Sequence, residues 1–389
     1  MKSTLLAGAI ALAFTGAAFA QAGPTQGVTK NEIVLGTLQD LSGPIAAFGK
    51  QVRFGMDMRV AEANEAGGIH GRKVKLVTED MGYDPKKALL GAQKLIGRDK
   101  VFALVGTLGS STSLAVMPEA FKANVPHLFP VAAAREMYEP LHPLKYSFAA
   151  TYYEQMRAGV KHMVKQKNSK KVCTLYQDDD FGIEVQRGAE AGLKEINMQL
   201  TERTSYKRGA TDFSSQVAKL KSSGCDLVIL GTIIRETIGA IGEARKTGYN
   251  PDFLGSSAVY TDLIHKLGPK FTDGLYGMMT VAHPYPDDAS KNVRAWAERY
   301  KTAFKEDATV FSVYGYVIVD TVLKTIEKTG PNLTVQSFIN TLDNTTLPRD
   351  MFGSSEQTYS KTKHLGSNSS RMSQIVNGKW TPVSDYLTQ

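Results

Sequence analysis

The residues from Phe102 to Thr112, FALVGTLGSST, are the chain's best candidate for binding chemistry. An apolar run stops at Gly106, passes through a turn of small residues, and meets a helical pattern from Ser111 to Phe121. That order implies a strand, a tight turn and a helix start. The first four N–H groups of a helix lack an internal acceptor, and the helix dipole is positive at that end. Ser110, Ser111 and Thr112 add hydroxyls, so the turn suits a small anion, most naturally a carboxylate. In open α/β sheets ligands sit just past the carboxyl ends of strands, where this turn falls. The competing reading is that the serines only cap the helix.

Other residue patterns argue against reaction chemistry. Ser110 and Ser111 lack the G-x-S-x-G elbow of a nucleophilic serine. The seven histidines are scattered, without H-E-x-x-H or paired spacing. Asp178, Asp179 and Asp180 lack the spacing of a calcium loop and read as an acidic, solvated helix start. The turn from Gly106 to Ser111 is not G-x-G-x-x-G, which leaves a dinucleotide without a cradle. No catalytic residue, metal site or cofactor is therefore expected. The net charge of +8 becomes +7 without Lys2, and the basic residues are spread along the chain. That excess makes a mild field for anions. It forms no basic stripe, so nucleic acid is not an expected partner.

The first twenty residues read as an export signal. Lys2 gives a positive start, Leu5–Phe14 is apolar and uncharged, and Ala18-Phe19-Ala20 is an A-x-A cleavage site. The apolar part is too short to span a membrane, and no cysteine follows it for lipid attachment. The mature chain should start at Gln21 and be secreted through the inner membrane. Cys173 and Cys225, the only cysteines, lie at or beside apolar strand patterns. Two buried thiols are expected there, with a disulfide as the alternative in an oxidising compartment.

The elements that must position the anion turn alternate regularly. Strand patterns at Ile33–Leu38, Lys73–Glu79 and Val101–Gly106 are each followed by a helical one, at Ala46–Asn64, Pro85–Ile96 and Ser111–Phe121. A second series begins with a helix at Tyr153–Gln166. Strands follow at Lys171–Tyr176, Gln199–Tyr206, Asp226–Gly231 and Asp252–Gly255, and Asp212 is expected to cap one of the intervening helices. This implies α/β architecture, two doubly wound lobes of parallel sheet with helices on both faces. The last third changes rhythm, with three helices and a terminal hairpin around Asn377-Gly378.

These stretches carry a resemblance. Ile33–Gly49 (IVLGTLQDLSGPIAAFG), Ala66–Arg72 (AGGIHGR), Asp84-Pro85, Gly106–Thr112, Asp178–Gly182 (DDDFG) and Gly209–Leu220 (GATDFSSQVAKL) are similar, in order and spacing, to the branched-chain amino-acid-binding family of periplasmic solute-binding proteins of ABC transporters. The resemblance spans almost all of the mature chain. It implies a type I periplasmic-binding-protein fold, with two lobes joined by a three-strand hinge that close on a ligand. It also implies a periplasmic location, a monomer, delivery of ligand to a membrane permease, and no enzymatic activity. The expected division is signal peptide 1–20, first lobe 21–147 with about 283–352, and second lobe 148–282 with about 353–389.

The resemblance assigns ligand contacts residue by residue. Ser110 matches the serine that binds the ligand carboxylate, and Ser111 follows it. The next contact loop is Val131-Ala132-Ala133-Ala134-Arg135, with Ala133 where leucine-binding relatives usually have threonine. Ser257 stands where relatives hold the ligand ammonium with an acid, and Ile233 where many have tyrosine. A buried ammonium without a carboxylate partner is costly. The departure points to a ligand other than a simple α-amino acid, unless Asp40, Glu154 or Glu236 supplies the charge. Phe48, Phe181, Tyr152, Tyr153 and Tyr260 fall near the crevice and suit a flat, apolar body. Arg135 either bonds the acid or faces solvent at the rim. The expected ligand is an aromatic or other hydrophobic carboxylate. The alternatives are a leucine-type amino acid or an amide, and a sensory role in place of transport.

Overall fold

In the computed structural model of the chain, residues 25–269 and 271–387 are described. The expected signal peptide lies outside them. The first lobe is built from β1 (Glu32–Gln39), α1 (Ala46–Glu65), β2 (Lys73–Asp80), α2 (Pro85–Gly97), β3 (Ala103–Val105), α3 (Ser110–Lys122), β4 (His127–Leu128) and β5 (Lys145–Tyr146). Its sheet is parallel, in the order β2-β1-β3-β4-β5. Seven of the eight residues of β1 are buried, as befits a strand covered by helices on both faces.

The second lobe begins with α4 (Tyr152–Lys167). It continues through β6 (Val172–Gln177), α5 (Asp180–Glu195), β7 (Glu202–Tyr206), α6 (Ser214–Ser222), β8 (Leu227–Gly231), α7 (Ile234–Lys246), β9 (Asp252–Gly255), α8 (Asp262–Leu267) and β10 (Tyr276–Met279). The chain then returns through α9 (Lys291–Phe304), α10 (Val310–Thr329) and α11 (Val335–Leu342), and α10 packs on α1. A short pair, β11 (Thr346–Leu347) and β12 (Gln357–Thr358), precedes the hairpin of β13 (Arg371–Val376) and β14 (Lys379–Pro382). That hairpin joins the second sheet, whose order is β14-β13-β10-β9-β8-β6-β7. Only β13 runs against the other strands, antiparallel to both β10 and β14. The chain thus passes between the two sheets three times, after β5, after β10 and before β13.

Local chemistry explains several boundaries. Asp84 caps α2 by accepting from the N–H groups of Lys86 and Lys87, with Pro85 at the first helical position. Asn377 and Gly378 both have positive φ, as a two-residue hairpin turn needs. Asp212 accepts from Ser214, but the residue at the cap of α6 is Phe213, so the expected cap becomes a local turn. The two-residue strands β4 and β5 are too short to show a periodic pattern. Cys173 and Cys225 form a disulfide, where two free thiols were expected. The reason is proximity: Cys225 lies just ahead of β8, the neighbour of β6, and the two Cα atoms lie 5.9 Å apart, within bonding reach.

The return of α10 matters most for the site. Gly55 on α1 and Gly315 on α10 let the helix backbones touch. A side chain at Gly55 would meet the Ser312 carbonyl, and one at Gly315 the Val52 carbonyl, each at about 2 Å. That close approach stacks Phe311 on Phe48, with ring centroids 3.7 Å apart.

Candidate functional site

Between the lobes lies a cleft with about 670 Å³ of empty space, including its mouth. Its first-lobe wall comes from loops at the carboxyl ends of strands. Tyr83 follows β2, Leu108 to Ser110 follow β3, and Pro130 to Ala133 follow β4. Phe48 projects from the first turns of α1. The second-lobe wall comes from Tyr152 and Gln155 on α4, Phe181 on α5, Ile233 after β8, and Ser257 after β9. Phe148 in the first crossing, Thr280 past β10, and Phe311 and Tyr314 on α10 close the back.

At the turn expected to hold an anion, the serines do not cap the helix. Gly109 holds the cap position of α3 with φ 94°, and no side chain caps the helix. Thr112 turns its hydroxyl back to the carbonyls of Leu108 and Gly109, and Ser113 turns to Thr107. Ser110 is 1% exposed, and its Oγ has no hydrogen-bond partner among the described residues. The N–H groups of Ser110, Ser111 and Thr112 lie in the first turn, where no intrahelical acceptor reaches them.

The rest of the wall is aromatic and uncharged. Phe48, Tyr83, Phe148, Tyr152, Phe181, Phe311 and Tyr314 all line it. Tyr152 and Phe181 meet edge to face at 4.9 Å, as do Phe311 and Tyr314 at 5.6 Å. No Asp, Glu, Lys, Arg or His is among the lining residues. Burial pushes the hydroxyls of Tyr83 and Tyr152 well above the usual phenol range, and that of Tyr314 up to about 12, so all three stay neutral. Polar groups on the far side are already engaged with each other. Gln155 donates to the Ala150 carbonyl at 2.7 Å and to Ser257 Oγ at 3.0 Å, and accepts from the Ser257 N–H at 2.8 Å. Thr280 and Tyr314 share a hydrogen bond of 3.2 Å.

Of the residues singled out in the sequence, Phe48, Ser110, Val131, Ala133, Tyr152, Phe181, Ile233 and Ser257 line this cleft. Tyr260, Arg135, Tyr153 and Ser111 do not. Tyr260 is in the core against Trp380, and its hydroxyl accepts from the His283 N–H. Arg135 is turned away from the cleft into a bidentate pair with Glu184, under which Tyr153 lies. Ser111 sits beyond the wall and accepts from Arg208.

The acids named as alternative ammonium partners are also elsewhere. Asp40 accepts from the N–H groups of Gly43 and Ile45, Glu154 lies 3.7 Å from Arg157, and Glu236 pairs with Arg235. Sequence reasoning missed Tyr83, Phe148, Gln155, Phe311 and Tyr314. The last two are separated by three residues at the start of a predicted helix, which put them on one face. Nothing local said which surface that face would meet.

Among the described residues no cluster of His, Cys, Asp or Glu could hold a metal, and no helix is long and apolar enough to cross a membrane. A protein of Brucella suis named Leu/Ile/Val-binding protein homolog 7 is 26% identical over 340 residues, covering 84% of this chain and 83% of the relative. The Leu/Ile/Val-binding protein of Escherichia coli is 27% identical over 271 residues, 70% of this chain and 71% of the relative. The fold is shared with a fatty acid ABC transporter substrate-binding protein from Thermomonospora curvata, at TM-score 0.84 and 23% identity over 94% of each chain. It is shared equally with a branched chain amino acid ABC transporter protein from Thermus thermophilus with bound valine, at TM-score 0.84 and 15% identity over 93% of this chain and 98% of that one. The sequence profile of one family runs from residue 32 to residue 379, across both lobes and every wall of the cleft, and the chain belongs to that family, the periplasmic binding proteins.

Proposed function

We propose that this receptor captures a small aromatic or otherwise hydrophobic carboxylate in the periplasm and delivers it, as a monomer, to the membrane permease of an ABC transporter. The observation that carries the reading is the pairing of one orphaned, buried hydroxyl with an uncharged aromatic wall. Ser110 Oγ and the first N–H groups of α3 hold the carboxylate, and the Val131–Ala133 backbone borders it. Phe48, Tyr152, Phe181 and Ile233 enclose the ligand body, and Ser257 meets its far end. An amino acid would bring a buried ammonium against a wall with no carboxylate, at a cost of several kcal/mol. Nothing in the wall forms a nucleophile–base pair, so the ligand leaves unchanged. Ligand favours the closed form only through contacts it gains there, and the second-lobe aromatics supply them.

A thermal-shift panel of benzoate, phenylacetate, leucine, phenylalanine and benzamide tests the reading. The two acids should raise the melting temperature, since a ligand at a hundred times its Kd stabilises the native state by about 2.7 kcal/mol. Stabilisation by leucine or phenylalanine with none by the acids would overturn it.

A further inference from the structure

No charged side chain lines the cleft, yet charged side chains bridge the lobes beside it. Arg135 follows β4 in the first lobe, and Glu184 lies on α5 in the second. Arg135 donates from Nε and Nη2 to the two Glu184 oxygens, at 2.9 and 2.8 Å, and its guanidinium lies 3.9 Å over the ring of Tyr153 on α4. The Glu184 side chain is 1% exposed, with Arg187 its other cation at 3.7 Å.

A second arginine, anchored on a carboxylate of its own lobe, reaches across from the opposite side to neutral acceptors. Arg208, in the loop after β7, donates to the Tyr83 carbonyl at 2.6 Å, to Ser111 Oγ at 3.3 Å, and to the Asp179 carboxylate. Its guanidinium lies 4.2 Å over the Tyr83 ring. Both bridges reach the first turns of α5, which carry Phe181 into the cleft. On the first lobe they start at Tyr83 itself, one residue past Ser110, and two past Ala133.

We propose that these two arginine bridges are a clasp that sets the closed population of the protein, and with it the rate of ligand release, without touching the ligand. Hydrogen bonds with a charged partner are about twice as strong as neutral ones, and these are partly withdrawn from water. Opening the lobes breaks the Arg135–Glu184 pair together with the Arg208 bonds to Tyr83 and Ser111, while Arg208 keeps Asp179 in its own lobe. Apparent affinity scales with the fraction of protein in the binding-competent form, so weakening the clasp raises Kd with the pocket wall unchanged. The inference rests on the lobes closing and not on which ligand they close on.

The test uses the full mature chain, spin-labelled at Lys122→Cys on α3 and Lys221→Cys on α6, with the native disulfide kept oxidised. Pulsed electron–electron distance measurements on ligand-free protein should show a closed population that falls about tenfold or more per arginine in Arg135→Met and Arg208→Met. The double variant should be mostly open. Arg135→Lys and Arg208→Lys, which keep the charge but lose the fork, should fall between, and they serve if the Met variants do not fold. With benzoate as the probe, koff should rise by the same factor while kon changes less than about twofold. The proposal is overturned if folded variants give the unaltered distance distribution, or if the unaltered ligand-free protein is already fully open. Failure of benzoate to bind leaves the distance result standing and counts only against the ligand reading.

Discussion

Replacing Ser110 by alanine should separate binding from stability. The side chain is 1% exposed, and its Oγ meets no partner among the described residues. Deleting it from the free protein therefore removes an unsatisfied buried hydroxyl, a group that costs about 1–3 kcal/mol to bury unpaired. The melting temperature of free Ser110→Ala should hold or rise. In the proposed complex the same hydroxyl donates to a carboxylate, and hydrogen bonds to charged groups contribute about 1.5–3 kcal/mol. Kd should rise by about 10- to 150-fold. Binding should not vanish, because the first-turn N–H groups of α3 remain. Isothermal titration with benzoate, beside melting curves of the free variant, reads both quantities. Unchanged affinity would remove Ser110 from the site, and a stability loss as large as the affinity loss would make it a structural residue.

Ser257→Glu should reverse ligand preference, weakening benzoate by about tenfold or more and admitting phenylalanine or leucine, because the new carboxylate repels the acid and can pair an ammonium. The same preference before and after the change, in competition titrations, would sink the argument from the missing acid. Reducing Cys173–Cys225, whose partners are 52 residues apart, should destabilise the fold by about 4 kcal/mol. Denaturant curves with and without a phosphine reductant read this, and coincident midpoints would refute it. His127 should make the fold acid-sensitive. It is fully buried with neither ring nitrogen bonded among the described residues, and burial, with Lys145 nearby, pulls its pKa from 6.5 to about 3. Below pH 6.5 the unfolded chain binds a proton that the native state refuses, so stability falls by about 1.4 kcal/mol per pH unit toward pH 3. His127→Phe should flatten that slope between pH 6.5 and 5, and equal slopes in urea titrations would discard the assignment.

The strand–turn–helix around Gly106–Ser110 was legible because its signal is local. A strand ending at Gly106 and serines opening a helix are consecutive in the chain, and backbone geometry orients the N–H groups whatever surrounds them. Whether the serines cap or bind was not legible, since that depends on where each hydroxyl points. Gly109 takes the cap position, which leaves Ser110 free to face the cleft. The loops after successive strands were found for a related reason: in a parallel sheet all the strands end on the same side, so Val131, Ile233 and Ser257 converge by topology.

Arg135 and Tyr260 show the limit of that reasoning. Their positions near strand ends were read correctly, but a side chain of several ångströms can turn either way, and Glu184 and the core around Trp380 decided the direction. The disulfide belongs to the same class, because two cysteines 52 residues apart meet only once β6 and β8 lie side by side.

Periodicity, turn chemistry and the order of strands and helices are properties of short segments, and they suffice to write down a two-lobed α/β receptor with a strand–turn–helix facing its cleft. The aromatic back wall is different. Phe311 and Tyr314 reach the cleft because two glycines let α10 settle directly on α1. The arginine bridges exist only once residues from separate lobes lie within a hydrogen bond of each other. Such contacts depend on how finished elements pack, which no window of neighbouring residues encodes.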